Sequence, residues 1–267
     1  MNFLFTLNES YLEPLCVLIR SINKNSSEQN CYYVAYSRLN EDEKLKISEC
    51  ISETNHHLHF IRIKDEIFEG LPLLKHITKE AYYRLLCMDY LPKEVKRVLY
   101  LDPDTVVING ISKFYYSNID GYYIAAATHV NKFMHCFNSM RLRLPDVYPY
   151  INSGVMLINL ELLRERYTGK EIYDFIKNTK LKLEFGDQDI INALFFNRIK
   201  LWDSEIINLD LKTYRRRKLN IDWVRKNTVL IHYDGRDKPW HEDCKNPLRI
   251  FYEEMRNDKE TAEIHKR

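Results

Sequence analysis

The stretch Arg97-Val98-Leu99-Tyr100-Leu101-Asp102-Pro103-Asp104-Thr105 decides the fold and points to the site. It is an apolar run of strand character that ends in two carboxylates spaced i and i+2. Side chains two apart on an extended backbone lie on the same side, so Asp102 and Asp104 can reach one cation together. Because Pro103 cannot donate to a β-ladder, we expect the pair where the strand stops and a loop begins.

The carboxyl edge of a parallel α/β sheet is where ligands bind. Two hard oxygen ligands at such an edge suit Mg²⁺ or Mn²⁺ that bridges the phosphates of a nucleotide. Asp-Pro-Asp is also ordinary turn composition, and two solvated aspartates in a turn explain the motif equally well. This segment alone leaves the two interpretations open.

Composition indicates a globular protein. The chain has 267 residues, 45% of them hydrophobic, enough for one large core or two small domains, and no linker divides it. A net charge of +2 gives no argument for nucleic acid, which we do not expect as a partner. Six cysteines without CxxC spacing predict free thiols in a reducing compartment. Residues 1–14 have no signal-peptide pattern and no run approaches ~20 apolar residues, so we expect a cytoplasmic protein.

The order of predicted elements indicates the fold class. Strand-like segments alternate with segments whose apolar residues recur at helical spacing, and Asn40 with Glu43 matches a capping box. The predicted strands are 2–7, 31–37, 59–63, the run ending at 102, 122–127, 154–160 and a strand from 230; the predicted helices are 11–23, 40–54, 78–90 and 187–196. This alternation predicts an α/β protein with a mostly parallel, doubly wound sheet and right-handed crossovers.

Three further segments place polar residues at the ends of predicted elements. YINSGVMLINL (150–160) is an apolar strand with a polar start, and GDQD (186–189) precedes a helix with an acidic first turn. Each fits an ordinary buried strand or capped helix when taken singly. LIHYDGRDKPW (230–240) ends in a loop with an imidazole, a glycine and a lysine. An imidazole can complete a cation site, a glycine lets backbone approach a pyrophosphate, and a lysine neutralises it.

Together and in this order, these segments resemble glycosyltransferase family 8, the group of glycogenins and bacterial lipopolysaccharide galactosyltransferases. The match covers nearly the whole chain and is carried by FTLNESYLEPLCVLIRSI (5–22), EAYYRLL (80–86), LYLDPDTVV (99–107), YINSGVMLINL (150–160), GDQDIINALF (186–195) and HYDGRDKPW (232–240). The resemblance implies a GT-A fold, Rossmann-like and nucleotide-binding. It also implies a retaining hexosyltransferase with a UDP-hexose donor (galactose or glucose) and Mn²⁺, with Mg²⁺ as the alternative. Residues 1–245 would form the catalytic domain, and 246–267 a charged, partly helical tail.

The resemblance also assigns roles to individual residues. Asp102, Asp104 and His232 match the metal ligands, a set that tilts selectivity from Mg²⁺ toward Mn²⁺ because it adds imidazole to carboxylates. The positions that match uracil and ribose contacts are Thr6, Asn8 and Tyr11. Those that match contacts to the sugar are Arg84, Asn152, Asp187 and Gln188, and those that match the diphosphate cradle are Gly235 and Lys238. Asn8 departs from the aspartate of several members, although an amide can still pair with uracil.

The resemblance leaves the chemistry of retention to be argued. The catalytic candidates are Gln188, Asp187 and Arg84, and the neutral amide of Gln188 is a poor nucleophile compared with a carboxylate. We therefore expect a front-face mechanism in which the β-phosphate oxygen deprotonates the acceptor, while Gln188 and Asp187 position the sugar and stabilise positive charge. Lys238 lies in a polar loop, and its side chain is expected to project toward the diphosphate without a part in stability.

The resemblance implies a glycan or a lipid-linked glycan as the acceptor. A basic group could meet acidic lipids at the inner face of the membrane, or could be a solvated charged face; it comprises Lys212, residues 215–218, Arg225 and Lys226. Two other functions are open. A haloacid-dehalogenase-type phosphatase shares a strand ending in DPDT, but Thr105 follows the second aspartate too closely. A catalytically inactive sugar-nucleotide-binding module is opposed by the intact metal-ligand set.

Overall fold

The computed structural model describes residues 1–51, 55–64 and 82–264, and its centre is a seven-stranded sheet. The strands in chain order are β1 (Asn2–Leu7), β2 (Cys31–Tyr36), β3 (His57–Arg62), β4 (Arg97–Leu101), β5 (Thr105–Val107), β6 (Ile124–Ala127), β7 (Val155–Asn159), β8 (Ile199–Trp202), β9 (Ile207–Leu209) and β10 (Leu230–His232). The large sheet has the order β3-β2-β1-β4-β7-β6-β8. Only β7 runs antiparallel to its neighbours within this sheet, which confirms the mostly parallel architecture.

Helices cover both faces of the large sheet. In the described part of the chain they are α1 (Leu12–Lys24), α2 (Glu41–Glu49), α3 (Cys87–Tyr90), α4 (Ser112–Tyr115), α5 (Lys132–Leu142), α6 (Leu160–Arg166), α7 (Gly169–Asn178), α8 (Asp187–Phe195), α9 (Leu211–Arg216), α10 (Ile221–Asn227) and α11 (Arg249–Ile264). Successive side chains of a strand point to opposite faces. In β4, Leu99 and Leu101 therefore pack with α1, whereas Val98 and Tyr100 pack with α6 to α8. This layering explains why the buried strands read as continuous apolar runs.

A three-stranded sheet of order β5-β10-β9 lies beside the large one. β5 and β10 are antiparallel, and His232 is the register partner of Thr105. Because β4 belongs to the large sheet and β5 to the small one, residues 102–104 form the turn between the two sheets. The pairing therefore brings the end of β10 directly to the aspartate pair.

Most predicted elements are confirmed, with differences at their ends. The capping box of α2 forms between Asn40 and Glu43, but α2 ends at Glu49, and the predicted end at residue 54 lies outside the described residues. The first residues of the helix predicted over 78–90 also lie outside them. In the described remainder a single α-helix was the wrong prediction, because a 3₁₀ turn over Arg84–Leu86 precedes α3. That turn carries Arg84, whose buried side chain is held by three partners in the site.

The C-terminal segment is helical as predicted and packs onto the small sheet. Phe251, Tyr252 and Met255 of α11 are buried in a cluster with Val106 and Ile231. In its described part the tail is therefore a helix docked through apolar residues, and the boundary at residue 245 stays a prediction. Among the described residues, no helix combines the length and the apolar content that crossing a membrane would require.

Candidate active site

The two aspartates and His232 converge at the turn between the sheets. Ligand atoms of Asp102, Asp104 and His232 lie within 4.8 Å of one another. The Nε2 atom of His232 is 3.4 Å from Asp104 Oδ1 and 3.9 Å from Asp102 Oδ2. Asp104 and His232 are buried, whereas the Asp102 carboxylate keeps 23% of its exposure. The arrangement is a concave group of two carboxylates and one imidazole with an open side at Asp102.

Gly154 makes this convergence possible. It directly precedes β7, and its carbonyl accepts a 2.7 Å hydrogen bond from the amide of Asp102. A Cβ atom at residue 154 would lie 2.3 Å from Cε1 of His232 and 2.6 Å from Oδ2 of Asp102. Because glycine has no side chain, the imidazole of His232 and the carboxylate of Asp102 can approach each other in this space.

Lys238 is part of this group and is buried. Its ammonium donates to Asp104 Oδ2 at 2.5 Å and to the carbonyl of Tyr233 at 2.8 Å. Burial alone would raise the pKa of Asp104, but His232 and Lys238 outweigh it and hold that pKa well below its usual range. Burial alone would lower the pKa of His232, yet Asp104 raises it to about 9. Lys238 therefore neutralises a buried carboxylate in this structure. That it contacts the diphosphate and has no part in stability stays a prediction.

A buried arginine joins the aspartate pair to α8. The Arg84 guanidinium lies 3.0 Å from Asp102 Oδ1 through Nη1 and 3.2 Å from Asp187 Oδ2 through Nε. It also donates to the carbonyl of Ser153 at 2.8 Å and lies over the ring of Tyr100 at 4.4 Å. Burial raises the pKa of Asp187 to about 6, with Arg84 opposing the shift and Asp102 reinforcing it. Arg84 therefore fixes both carboxylates in one orientation.

Main-chain amides fix the orientation of the side-chain amides in the site. The N–H of Ser153 donates to Gln188 Oε1 at 3.3 Å, and the N–H of Gly154 donates to Asn152 Oδ1 at 3.0 Å. Asn152 Nδ2 in turn donates to Gln188 Oε1 at 3.2 Å. Since a backbone N–H can only donate, these contacts determine which end of each amide is oxygen.

The same chain of donors reaches His232 through Asn208. Asn208 Nδ2 donates to Asn152 Oδ1 at 3.1 Å, so Asn208 Oδ1 is the atom that faces His232 Nδ1 at 3.0 Å. His232 Nδ1 must therefore carry a hydrogen, and Nε2 is the nitrogen that faces the two aspartates. An outer partner of this kind is how proteins orient a metal-binding imidazole.

At the other end of the chain, Gln188 Nε2 donates to the hydroxyl of Tyr150 at 3.1 Å. That hydroxyl donates to Asp189 Oδ1 at 2.6 Å, and Arg141 of α5 binds both oxygens of Asp189 at 2.7 Å. Burial would raise the pKa of Asp189, but Arg141 and the surrounding donors lower it. The Gln188 amide is thus held at both its oxygen and its nitrogen.

The remaining predicted residues lie around this group at the ends of β1 and β10. Thr6 is buried, with its hydroxyl 2.9 Å from that of Tyr100, which donates to Asp102 Oδ1 at 2.5 Å. Asn8 caps a 3₁₀ turn by accepting from the amide of Ser10. Tyr11 packs edge-on against Trp240, and the ammonium of Lys238 lies 5.8 Å from both ring centroids. Gly235 is exposed, with a left-handed φ of 87°. The nucleotide contacts assigned to these residues stay predictions.

Sequence reasoning missed several residues on which the site depends. Asn208 is fully buried with a φ of 130°, an uncommon conformation for a residue other than glycine. A single asparagine in the apolar run IINLDL gives little sequence signal. Tyr100 was read only as a strand residue, although its hydroxyl binds Asp102. The signal available for Tyr100 was its position two residues before Asp102, which places both on one face of the strand.

Comparison with known proteins identifies the class and then the family. The galactosyltransferase LgtC, solved with donor and acceptor sugar analogues, superposes with a TM-score of 0.84 at 24% identity, over 97% of this chain and 96% of that one. The chain therefore has the GT-A fold. The model of glycosyl transferase family 8 matches residues 2–244, and the chain belongs to that family. It is accordingly a hexosyltransferase of a family that uses sugar-nucleotide donors, typically with a divalent metal.

Two curated relatives match most of the chain. General stress protein A of Bacillus subtilis is 27% identical over 94% of this chain and 91% of its own length. Lipopolysaccharide 1,2-glucosyltransferase of Escherichia coli is 28% identical over 90% of this chain and 73% of its own length. Membership of family 8 argues against the haloacid-dehalogenase-type alternative.

The Gly154→Ala variant tests the close approach at the site. The added methyl group must displace His232 or Asp102 from its observed position, so we expect sugar transfer to fall by about 10²-fold. Gly110→Ala is the matched control, because a Cβ there meets no atom within 4 Å. Transfer rates and thermal unfolding should be measured for both variants. A Gly154→Ala enzyme with the activity of the control would show that the contact does not constrain the site.

Proposed function

We propose that this protein is a Mn²⁺-dependent, retaining transferase that moves galactose or glucose from a UDP-sugar to a glycan or glycolipid acceptor. The observation that carries the proposal is the convergence of Asp102, Asp104 and His232 with the buried Lys238 beside them. The E. coli relative is a lipopolysaccharide glucosyltransferase and the structural neighbour is a galactosyltransferase, which supports a hexose and a cell-surface glycan acceptor.

The donor atoms of the site fit a divalent metal. Asp102, Asp104 and His232 would hold it, since two carboxylates and an imidazole suit Mn²⁺ better than Mg²⁺. Asn208 keeps Nδ1 of His232 protonated and so leaves Nε2 for the metal. When bound, the ion would supply Lewis-acid stabilisation of charge on the leaving diphosphate.

Lys238 would share in binding the diphosphate. In the nucleotide-free protein its ammonium neutralises Asp104, and burial, which would lower its pKa, is outweighed by Asp104, which raises it. With a cation held at Asp104, the Lys238 ammonium would no longer be needed for that neutralisation and could bind phosphate oxygens. Tyr11 and Trp240 border the ammonium and limit the directions in which it can turn.

The contacts of Gln188 favour a front-face mechanism. Its Oε1 atom already accepts from Asn152 Nδ2 and from the amide of Ser153, so its lone pairs are occupied. Asp187 is buried, and Arg84 and the hydroxyl of Ser153 both bind its Oδ2 atom. Both side chains are oriented for positioning a sugar and stabilising positive charge, and the Gln188 oxygen has no lone pair left for nucleophilic attack.

A separate observation supports contact between the protein and a membrane surface. Exposed Phe133 and Met140 lie on α5, and the carbonyl of His129 accepts a hydrogen bond from Arg216 of the basic segment 215–218. This juxtaposition supports a peripheral contact with acidic lipid at the inner membrane face. Equal binding to neutral and anionic vesicles would contradict it.

Metal dependence is the first test of the proposal. Chelation should abolish hydrolysis of UDP-sugars, and Mn²⁺ should restore it better than Mg²⁺. Asp104→Asn keeps the shape of the side chain but removes its charge, and should lower the rate at least ~10²-fold. A panel of UDP-sugars assayed for UDP release identifies the donor. Full activity in excess EDTA would contradict the assignment.

Mn²⁺ affinity should also depend on pH. Below about pH 9 His232 holds a second proton that a metal must displace. The apparent affinity should therefore rise by about tenfold per pH unit between pH 6.5 and 9. Calorimetric titration of the nucleotide-free protein measures this slope.

Gln188 separates the two mechanisms of retention. Gln188→Ala should retain measurable transfer, because the substitution removes a positioning contact and does not remove a covalent intermediate. Gln188→Glu provides a better nucleophile in the same position and serves as the comparison for trapping an adduct. Intact-mass spectrometry during turnover should find no glycosyl adduct on the wild-type chain. An adduct on wild-type Gln188 would contradict the front-face mechanism.

Lys238→Met should change two affinities in opposite directions. UDP binding with Mn²⁺ present should weaken by about 1–3 kcal/mol, because a charge-assisted hydrogen bond is lost. Mn²⁺ binding without nucleotide should strengthen, because Asp104 no longer has a competing cation. Lys245→Met is the matched control, since Lys245 is an exposed lysine nearby. Unchanged UDP affinity together with lowered stability would assign Lys238 to the fold alone.

A further inference from the structure

A second group of metal-binding side chains lies next to the first. Among the described residues, His129, Asp210 and Asp234 also bring three ligand atoms within 4.8 Å of one another. His129 follows β6, Asp210 follows β9, and Asp234 lies in the loop after β10. The proposed transfer reaction uses none of the three.

The hydrogen bonds of His129 determine which nitrogen is protonated. Nε2 lies 2.7 Å from the carbonyl oxygen of Asn208, which can only accept, so Nε2 carries a hydrogen. Nδ1 lies 3.2 Å from Asp234 Oδ2 and 4.0 Å from Asp210 Oδ2. In a neutral ring the lone pair of Nδ1 would point at two carboxylates. Because that arrangement is repulsive, a positive charge belongs among these atoms, either as a proton on Nδ1 or as a cation.

Asp210 distinguishes between these occupants. Its side chain is fully buried, Oδ1 accepts from the amide of Thr213, and Oδ2 has no hydrogen-bond partner. A buried oxygen without a partner is costly and calls for a ligand. A proton on Nδ1 of His129 could form a hydrogen bond to Asp234 Oδ2, which is 3.2 Å away. The distance of 4.0 Å from Nδ1 to Asp210 Oδ2 is too long for a hydrogen bond, so the proton would leave Asp210 without a partner. A metal ion would engage all three atoms.

We propose that His129, Asp210 and Asp234 bind a second divalent transition-metal ion. Nδ1 of His129 and one oxygen of each carboxylate would be its ligands, and one imidazole with two carboxylates suits Zn²⁺ or Mn²⁺. The ion would join three chain segments, among them the loop that runs from Asp234 to Lys238. The site is distinct from the first, since the rings of His129 and His232 are 5.9 Å apart and each bonds a different atom of Asn208.

Metal stoichiometry of the nucleotide-free protein tests this proposal. Protein stripped by a chelator is dialysed against micromolar Zn²⁺, and the bound metal is counted by mass spectrometry. His129→Asn and Asp210→Asn should each bind one ion fewer per chain than the wild type. Asp210→Asn is expected to fold, because asparagine caps a helix as well as aspartate does. His135→Asn on α5 is the control and should keep the wild-type count.

The two sites are distinguished by combining variants. The Asp102→Asn variant should lose the ion of the first site. The double variant Asp102→Asn with His129→Asn should lose the second ion as well. The proposal is overturned if His129→Asn and Asp210→Asn keep the wild-type count while folded by circular dichroism. It is also overturned if nitrogen NMR at saturating Zn²⁺ shows a proton on Nδ1 of His129, which would leave an imidazolium ion pair only. Neither readout depends on transferase activity, so failure here leaves the proposed function unaffected.

Discussion

A buried carboxylate held between two cations is the interaction on which the rest of the site depends. Asp104 is 2.5 Å from the ammonium of Lys238 and 3.4 Å from the imidazole of His232. A charge in this position is costly to bury alone, and removing one partner of such a group destabilises a protein strongly. The three residues come from the β4–β5 turn, the end of β10 and the loop beyond it. Their mutual neutralisation therefore fixes the junction of the two sheets.

Backbone groups position most of the other polar side chains. The amides of Ser153 and Gly154 set the orientation of Gln188 and Asn152, and through Asn208 they set the tautomer of His232. Because each step has a definite donor, the network has one arrangement and resists rotation of any single amide. Such preorganisation matters for glycosyl transfer, because the protein must position the sugar and stabilise the positive charge that develops during the reaction.

The site also combines two electrostatic environments. Around Asp104 the cations lower the carboxylate pKa and keep it ionised, while at Asp187 burial raises the pKa to about 6 beside Arg84. Arg84 lies between them and contacts both Asp102 and Asp187. The turn that carries the aspartate pair and the start of α8 are thus joined electrostatically through one guanidinium, which comes from a third segment of the chain.

The sequence by itself determined the sheet type, most strand positions, the cap of α2 and the aspartate pair. These features are local, since they follow from side-chain periodicity and from residue types within a few positions. The family resemblance assigned roles to His232 and Lys238 and added Arg84 and Gln188, but it did not give their contacts. Only the tertiary structure showed that Lys238 is buried against Asp104, because that contact joins residues 134 positions apart. The same holds for Asn208, whose role depends on a left-handed backbone and on partners from three separate segments, so no local pattern encodes it.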